Sequence, residues 1–428
     1  MARQKVPGLA VAMIEKGRVV VARGYGLANV EHAVPVDSDT IFQSGSLGKQ
    51  FTAALVMLLV EDGKIALSDP SSKHFPAASE AWRLITVRHL LTHTSGIPEY
   101  EDSKFNLQRN YTEEQLLRYA FGLKLEFAPG SRWNYSNPGY MLLGFLVQKA
   151  SGATYGDLMR DRVFRPVGMK TARIISDSDI VPHRAAGYRL ADGELKNQDW
   201  VSPILNTTAD GCLYFSLNDL IAWDQAWRAR SLLKPESWAK MLAPVTLNSG
   251  KTYPYGFGIS VDNVAGQKVE RHGGAWQGFK SYRARYLDDE FSILILANLA
   301  EGDPGRLSEG VAALVNSKTV PAHTPLANQE PLVTERLKRL LSEAAAGKLS
   351  PTELAYVRAG FFPDASDAYT KELPSLGTRQ KFTFYERREL GDDTVYVCEV
   401  AFASKTLTVR LGITPDDKIS VFRIAGKP

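Results

Sequence analysis

Ser46-Leu47-Gly48-Lys49 sets a hydroxyl and an amine three residues apart at the head of an apolar run, and one helical turn brings both to a common face. A serine hydroxyl is a weak nucleophile at neutral pH unless a neighbour takes its proton. Lysine can do so only where burial or nearby cations lower its pKa, and the apolar residues behind Lys49 can supply that burial. Backbone N–H groups at the start of the helix favour the negative charge that forms when a carbonyl is attacked. The chemistry on offer is acyl transfer through a serine ester.

The spacing itself is cheap, since Ser231 to Lys234 and Ser237 to Lys240 repeat it, although around Pro235 and without a long apolar helix behind them. Two further triplets carry compatible groups. Tyr135-Ser136-Asn137 lies between the loop signal Pro129-Gly130 and Pro138, which can open a helix. A phenol that shuttles a proton and an amide that holds a carbonyl would then project from a fixed turn; the alternative is an Asn that caps the helix and a Tyr packed in the core. His272-Gly273-Gly274 follows a strand-like run, and its glycines admit close approach of a backbone or a ligand. The N–H of Ala275, opposite that of Ser46, would complete a two-donor oxyanion hole; the alternative is a glycine turn with an exposed His.

With all three triplets in this order, the chain resembles the serine β-lactamase-like family, which includes class C β-lactamases, D-Ala-D-Ala carboxypeptidases, D-aminopeptidases and related carboxylesterases. The likeness extends through Phe42 to Thr52, Leu90 to Gly96, Pro129-Gly130 ahead of Tyr135, and Gly278-Phe279 after His272, and spans about residues 6 to 316. It implies Ser46 as the acylated nucleophile, Lys49 as its proton acceptor, Tyr135 as proton shuttle to the leaving group and for deacylation, and Asn137 as a substrate contact. His272, Gly273 and Gly274 would form the third motif, with the N–H groups of Ser46 and Ala275 as the oxyanion hole and no metal or other cofactor. The implied fold is α/β, an antiparallel sheet flanked by helices beside an all-helical lobe, with the site at their junction.

Class C β-lactamases usually carry Lys-Thr-Gly where this chain has His-Gly-Gly. An unperturbed His is mostly neutral at neutral pH, so a substrate carboxylate is held less firmly and β-lactam hydrolysis should be weak. The expected function is a serine hydrolase that forms an acyl-enzyme on carboxylic esters or small amides, with esters favoured because they need less help for the leaving group. The alternatives are a D-aminopeptidase or D-Ala-D-Ala carboxypeptidase, and a non-catalytic ligand-binding or sensor protein that keeps the fold.

The elements that must hold these groups are readable from periodicity. Gly8 to Ile14 and Arg18 to Arg23 predict a hairpin with glycine at positive φ in its turn. Phe51, Ala54, Leu55, Leu58 and Leu59 share a face of a buried helix that starts near Ser46 and closes at Gly63. Thr112 to Gln115 is a capping box, and a further helix runs from Pro138 to Ala150 before Gly152. Strands are predicted at Gly256 to Val261, Lys268 to Arg271, Lys280 to Tyr286 and Phe291 to Ala297, then a helix at Arg306 to Val315. This order suits a hydrolase unit over 1–320, with the helical lobe inserted at about 65–250. A proline-punctuated linker at 321–331 leads to a small α+β accessory unit over 332–428: a helix at Val333 to Ala346, another opened by Ser350-Pro351-Thr352-Glu353, and strands at Lys381 to Glu386, Thr394 to Phe402, Thr406 to Ile413 and Ile419 to Ile424.

With 428 residues, 44% hydrophobic and 23% charged, the chain reads as an ordinary folded protein of more than one unit. A net charge of +4 without a basic cluster argues against a nucleic-acid partner; the partner that the resemblance implies is a small ester, amide or D-amino-acid peptide. The two cysteines, Cys212 and Cys398, supply neither a disulfide framework nor a Cys-rich metal site. Phe51 to Val60, the longest apolar run, is about half of a bilayer span; Gly8 to Ile14 reads as a strand and not a signal peptide. Compartment and oligomeric state stay open. His89 and His93 have zinc-helix spacing but lack the adjacent Glu and a third ligand. Gly24-Tyr25-Gly26 lacks the helix of a dinucleotide site, and Ser44 to Gly48 departs from Gly-x-Ser-x-Gly.

Overall fold

Lys16 and Gly17 both take positive φ, 49° and 80°, and the turn they make folds Gly8–Glu15 back on Arg18–Asn29. The computed structural model describes residues 4–76, 78, 80–100, 105–319, 324–327, 329–356 and 366–426. On its other side Gly8–Glu15 pairs with Phe291–Ala297, Leu9 opposite Ala297 and Glu15 opposite Phe291. Strands from far apart in sequence therefore meet at the middle of one antiparallel sheet. Its seven strands lie in the order Ser260–Val264, Gln267–Trp276, Phe279–Tyr286, Phe291–Ala297, Gly8–Glu15, Arg18–Asn29, Val34–Pro35.

Phe291–Ala297 is buried throughout because helices cover both faces. Alternate side chains go opposite ways: Ile293, Ile295 and Ala297 pack with Ala312 of the Pro304–Val315 helix, and Leu294 and Leu296 join Trp223 and Trp227 of the Leu217–Ala229 helix. The larger core surrounds α1 (Lys49–Glu61), buried on every side from Lys49 to Leu59. Such a helix is enclosed by the rest of the fold, here including the Asn137–Ser151 and Pro235–Leu242 helices. Thr112 and Gln115 close the predicted capping box, and Gly152 ends Asn137–Ser151 in the left-handed region at φ 77°.

Several boundaries differ from expectation for identifiable reasons. The α-helix starts at Lys49, and Ser46 rides on a 3-10 turn, Gly45–Gly48. Residues three apart eclipse in that geometry, which stacks Ser46 and Lys49 more directly than an α-helix would. The strand expected at Gly256 starts at Ser260, because Gly258, at φ 69°, bends the chain over the start of α1, where a Cβ would meet the Lys49 carbonyl at 2.6 Å. Lys268 to Arg271 belongs to a longer strand that carries His272 to Trp276 within it.

The four C-terminal strands, Arg379–Leu390, Asp393–Phe402, Thr406–Ile413 and Ile419–Gly426, form a separate meander in sequence order. Leu337, Leu340 and Leu341 of the Pro331–Ala345 helix pack on Phe384, Val400, Val409 and Leu411 in a core of their own. Ser350 to Glu353 opens only a 3-10 turn. Arg339 takes both Glu353 oxygens at 2.7 Å, which removes the carboxylate that would have closed a capping box. The second helix is Ser366–Ser375, a stretch with internal Pro374 that periodicity did not signal. Part of the expected linker, 321–323 and 328, lies outside the described residues, while Leu326 already donates its N–H to Phe384 O. Among the described residues no helix is long and apolar enough to cross a membrane.

Arg283 and Asp224 pair at 2.9 Å between sheet and helix with essentially no solvent access. Asp224→Ala leaves a buried guanidinium without its counter-charge and should lower the unfolding free energy by about 3–5 kcal/mol in urea titrations; a loss below about 1 kcal/mol would show that the pair is not needed.

Candidate active site

Lys49 Nζ has three oxygen neighbours: Ser46 Oγ at 3.1 Å, Asn137 Oδ1 at 2.6 Å, and the backbone carbonyl of Asp210. The amine is fully buried, and that burial brings its pKa down from the ordinary lysine value to about 8, against the fields of Asp210 and Glu99, which oppose the shift. It also lies over the Tyr135 ring, 4.9 Å from the centroid, and 5.4 Å from that of Tyr140. The 3-10 turn is held by close backbone contact: a Cβ on Gly45 would fall 2.4 Å from Ala275 N, and one on Gly274 would fall 2.0 Å from Ser44 O. Two glycines thus let the Gln267–Trp276 strand and the Ser46 turn touch, with Ala275 N bordering the turn.

Tyr135 and Asn137 come from the turn ahead of the Asn137–Ser151 helix. Ser136, not Asn137, caps that helix, accepting from Gly139 N–H at 3.2 Å. This frees the Asn137 side chain. Glu99 Oε2 accepts from Asn137 Nδ2 at 3.0 Å and from Asn137 N–H at 3.2 Å, which fixes the amide with its oxygen toward Lys49. Burial raises the Glu99 pKa. His93, at φ 57°, accepts from Ser136 N–H on Nδ1 at 3.1 Å and from Asn134 N–H on its carbonyl at 2.9 Å. Its ring packs at a tilt against Tyr135, 4.2 Å between centroids, and burial holds it neutral. The Tyr135 phenol is buried, its pKa pushed well above the usual value by desolvation, with the Ser46 hydroxyl the one neighbour that favours ionisation. No hydrogen bond of good geometry commits its Oη.

His272 is buried within its strand. Its Nδ1 lies 2.6 Å from Gly273 O, and because a carbonyl can only accept, Nδ1 carries the proton and Nε2 accepts from Tyr255 O–H at 2.9 Å. Burial and the Lys49 charge bring its pKa down to about 4. Both ring nitrogens are occupied, so His272 presents neither a cation nor a free donor. Its ring centroid lies 6.4 Å from that of Tyr135.

Ser46, Lys49, Tyr135, Asn137 and the His272 to Ala275 strand therefore meet around one amine. Glu99, Asp210 and Tyr255 were not singled out by sequence. Each acts through carboxylate, carbonyl or hydroxyl contacts that no local spacing announces; Asp210-Gly211 resembles any turn dipeptide. His89 accepts from Thr86 N–H, a helix-capping contact separate from the work of His93. Among the described residues no group of three or more His, Cys, Asp or Glu is arranged to hold a metal ion.

A sequence model of the Beta-lactamase family matches residues 1–316. The chain belongs to that family. Its beta-lactamase-family segment is 29% identical to penicillin-binding protein 4* of Bacillus subtilis (strain 168) over 311 residues, 68% of each chain. It is 28% identical to a D-aminopeptidase of Gluconobacter oxydans (strain 621H) over 305 residues, 69% of this chain but only 57% of that protein, little more than half its length. The octameric penicillin-binding protein homologue from Pyrococcus abyssi shares the fold across 99% of this chain and 97% of its own, at 24% identity and a TM-score of 0.67. As a beta-lactamase-family protein the chain is a serine hydrolase, and the proteins it is similar to include a penicillin-binding protein and D-aminopeptidases.

Gly274→Ala sets a methyl group against Ser44 O and separates strand from turn. Labelling of Ser46 by a fluorophosphonate should slow by about 10²-fold, the scale of a lost oxyanion donor, with the circular dichroism spectrum unchanged; an unaltered labelling rate would contradict the close-contact account.

Proposed function

We propose that this protein hydrolyses acyl substrates through an ester on Ser46, with Lys49 as general base. The observation that carries this is the set of partners around Nζ. Asn137 Oδ1 and the Asp210 carbonyl only accept, so a neutral Lys49 gives both its hydrogens to them and turns its lone pair to Ser46 O–H. Tyr135, with its raised pKa, rests as the neutral phenol and is the weaker candidate base.

In this mechanism the Ser46 proton passes to Lys49 as Oγ bonds to the substrate carbonyl carbon. The oxyanion that forms is met by the N–H groups of Ser46 and Ala275. Tyr135 gives its proton to the leaving group as the acyl bond breaks and is reprotonated by the Lys49 ammonium. Water then repeats the sequence on the acyl-enzyme, with Ser46 as leaving group. Residues 1–320 form the hydrolase unit, joined through 321–331 to an accessory unit at 332–428.

Charge around the site favours a substrate class. Neutral His272 offers nothing to a terminal carboxylate, whereas Glu99 sets an acidic side chain beside Asn137. The acyl groups it suits are uncharged or carry an amine near the scissile carbonyl: amino-acid esters and amides ahead of peptides read through a terminal carboxylate. The D-aminopeptidases among the relatives favour the D series. Esters remain the faster substrates, and β-lactam hydrolysis is weak.

Three measurements test this. A fluorophosphonate adduct should appear on the wild type and vanish in Ser46→Ala; with no adduct, a binding or sensor role takes its place. Because Lys49 must be unprotonated to act, and only about a tenth is so at pH 7, kcat/KM should rise with pH and level off above about 8; a profile flat from pH 6 to 9 would remove Lys49 as base. D-alanine p-nitroanilide should be turned over at least about tenfold better than its N-acetyl form, and the reverse order would reject the amine-bearing substrate class.

A further inference from the structure

Arg132 stands three residues before Tyr135, yet its guanidinium points to the C-terminal meander. Nη1 lies 3.4 Å from Asp393 Oδ1 and Nη2 3.1 Å from Asp416 Oδ1, carboxylates at two different turns of that sheet. The same edge reaches the loop between Val245 and Tyr253. Gly391 donates its N–H to Thr252 O at 3.0 Å, and a Cβ on Gly391 would fall 2.6 Å from Leu247 Cδ1, so the turn is seated without spare room.

The Val245 to Tyr253 segment grips the chain that leads into Tyr135. Asn248 N–H donates to Gly130 O at 2.8 Å, and Asn248 Nδ2 donates to Pro129 O at 3.0 Å. Tyr253 stacks flat on Trp133, 4.2 Å between centroids and 8° between planes. Trp133 in turn faces His93 at 6.0 Å and Tyr135 at 6.4 Å. The segment 129–135 is thus held from inside by the His93 ring and from outside by the C-terminal sheet acting through Arg132 and Tyr253.

No step of acyl transfer uses an arginine at position 132. A partly exposed ion pair alone contributes little, but two carboxylates on one guanidinium, a backbone hydrogen bond and a glycine-packed turn together define a position. Proton delivery to a leaving group requires the phenol within hydrogen-bond reach, and a displacement of about 1 Å can cost up to about 10²-fold in rate.

We infer that the C-terminal module is a positioning device for Tyr135: its Asp393 and Asp416 turns clamp Arg132 and the Val245 to Tyr253 segment, and so hold the Trp133 to Asn137 turn against Lys49. This rests on the assignment of Tyr135 as proton donor to the leaving group. Arg132, Asp393 and Asp416 are positioning residues. Loosening the clamp weakens protonation of the leaving group, so acylation by substrates with poor leaving groups suffers and acylation by those that leave unaided does not.

The test uses full-length Arg132→Gln, Asp393→Asn, their double variant, and Arg388→Gln. Arg388 also bridges the modules, 3.2 Å from Asp262 Oδ1, but away from Trp133. Arg132→Gln and Asp393→Asn should lower kcat on D-alanine p-nitroanilide and D-alanine ethyl ester roughly tenfold, leave KM and the acylation burst on the p-nitrophenyl ester within about twofold, and show no further loss when combined. Arg388→Gln should lower Tm with all rates within about twofold. Equal losses of acylation rate on good and poor leaving groups, additive losses in the double variant, or undiminished ethyl ester turnover in Arg132→Gln would overturn the inference. Fluorophosphonate labelling separates the two levels: an unlabelled wild type rejects the serine mechanism, whereas labelled variants with wild-type anilide and ethyl ester turnover reject only the clamp.

Discussion

Everything at this site turns on an amine that is short of water and has two neighbours that can only accept. Asn137 Oδ1 and the Asp210 carbonyl give the hydrogens of Lys49 two fixed destinations, and Ser46 Oγ is the third neighbour. Desolvation makes the charged form costly. The nearby carboxylates of Glu99 and Asp210 pull the other way, which keeps the pKa near 8 and not far below it. That balance leaves a base able to exchange protons near neutral pH.

The fold creates this environment by enclosing α1 on all sides and by bringing backbones together where glycine permits. Gly45, Gly48, Gly211 and Gly274 line the contacts around the Ser46 turn, and each would drive a Cβ into neighbouring main chain or a buried side chain. Three separated stretches can meet there because the central pairing of Gly8–Glu15 with Phe291–Ala297 closes the sheet from both ends of the hydrolase segment. Tyr135 reaches the same point from the turn ahead of the Asn137–Ser151 helix, and the C-terminal sheet touches the outside of that turn through Arg132.

Local pattern carried much of this. The first hairpin, α1, the Thr112 capping box, the Asn137–Ser151 helix and the C-terminal strands follow from periodicity and turn residues, because their determinants lie within a few residues of one another. Where tertiary contact decides, sequence runs out. The 3-10 turn under Ser46 depends on Ala275, the late start of the Ser260 strand on the Lys49 carbonyl, and the truncated turn at Ser350 on Arg339. The three short motifs meet in space, but Glu99, Asp210 and Tyr255 enter through contacts that no local spacing announces. The committed tautomer of His272 is likewise a property of Gly273 O and Tyr255, not of its own triplet.

The most direct measurement is the titration of Lys49 itself, by NMR of protein carrying 15N-labelled lysine, with the signal assigned by its loss in Lys49→Met. A single lysine that releases its proton near pH 8 is the expected result. A Lys49 signal that titrates with the solvent-exposed lysines, near pH 10.4, would mean that the amine is neither desolvated nor poised to take the serine proton.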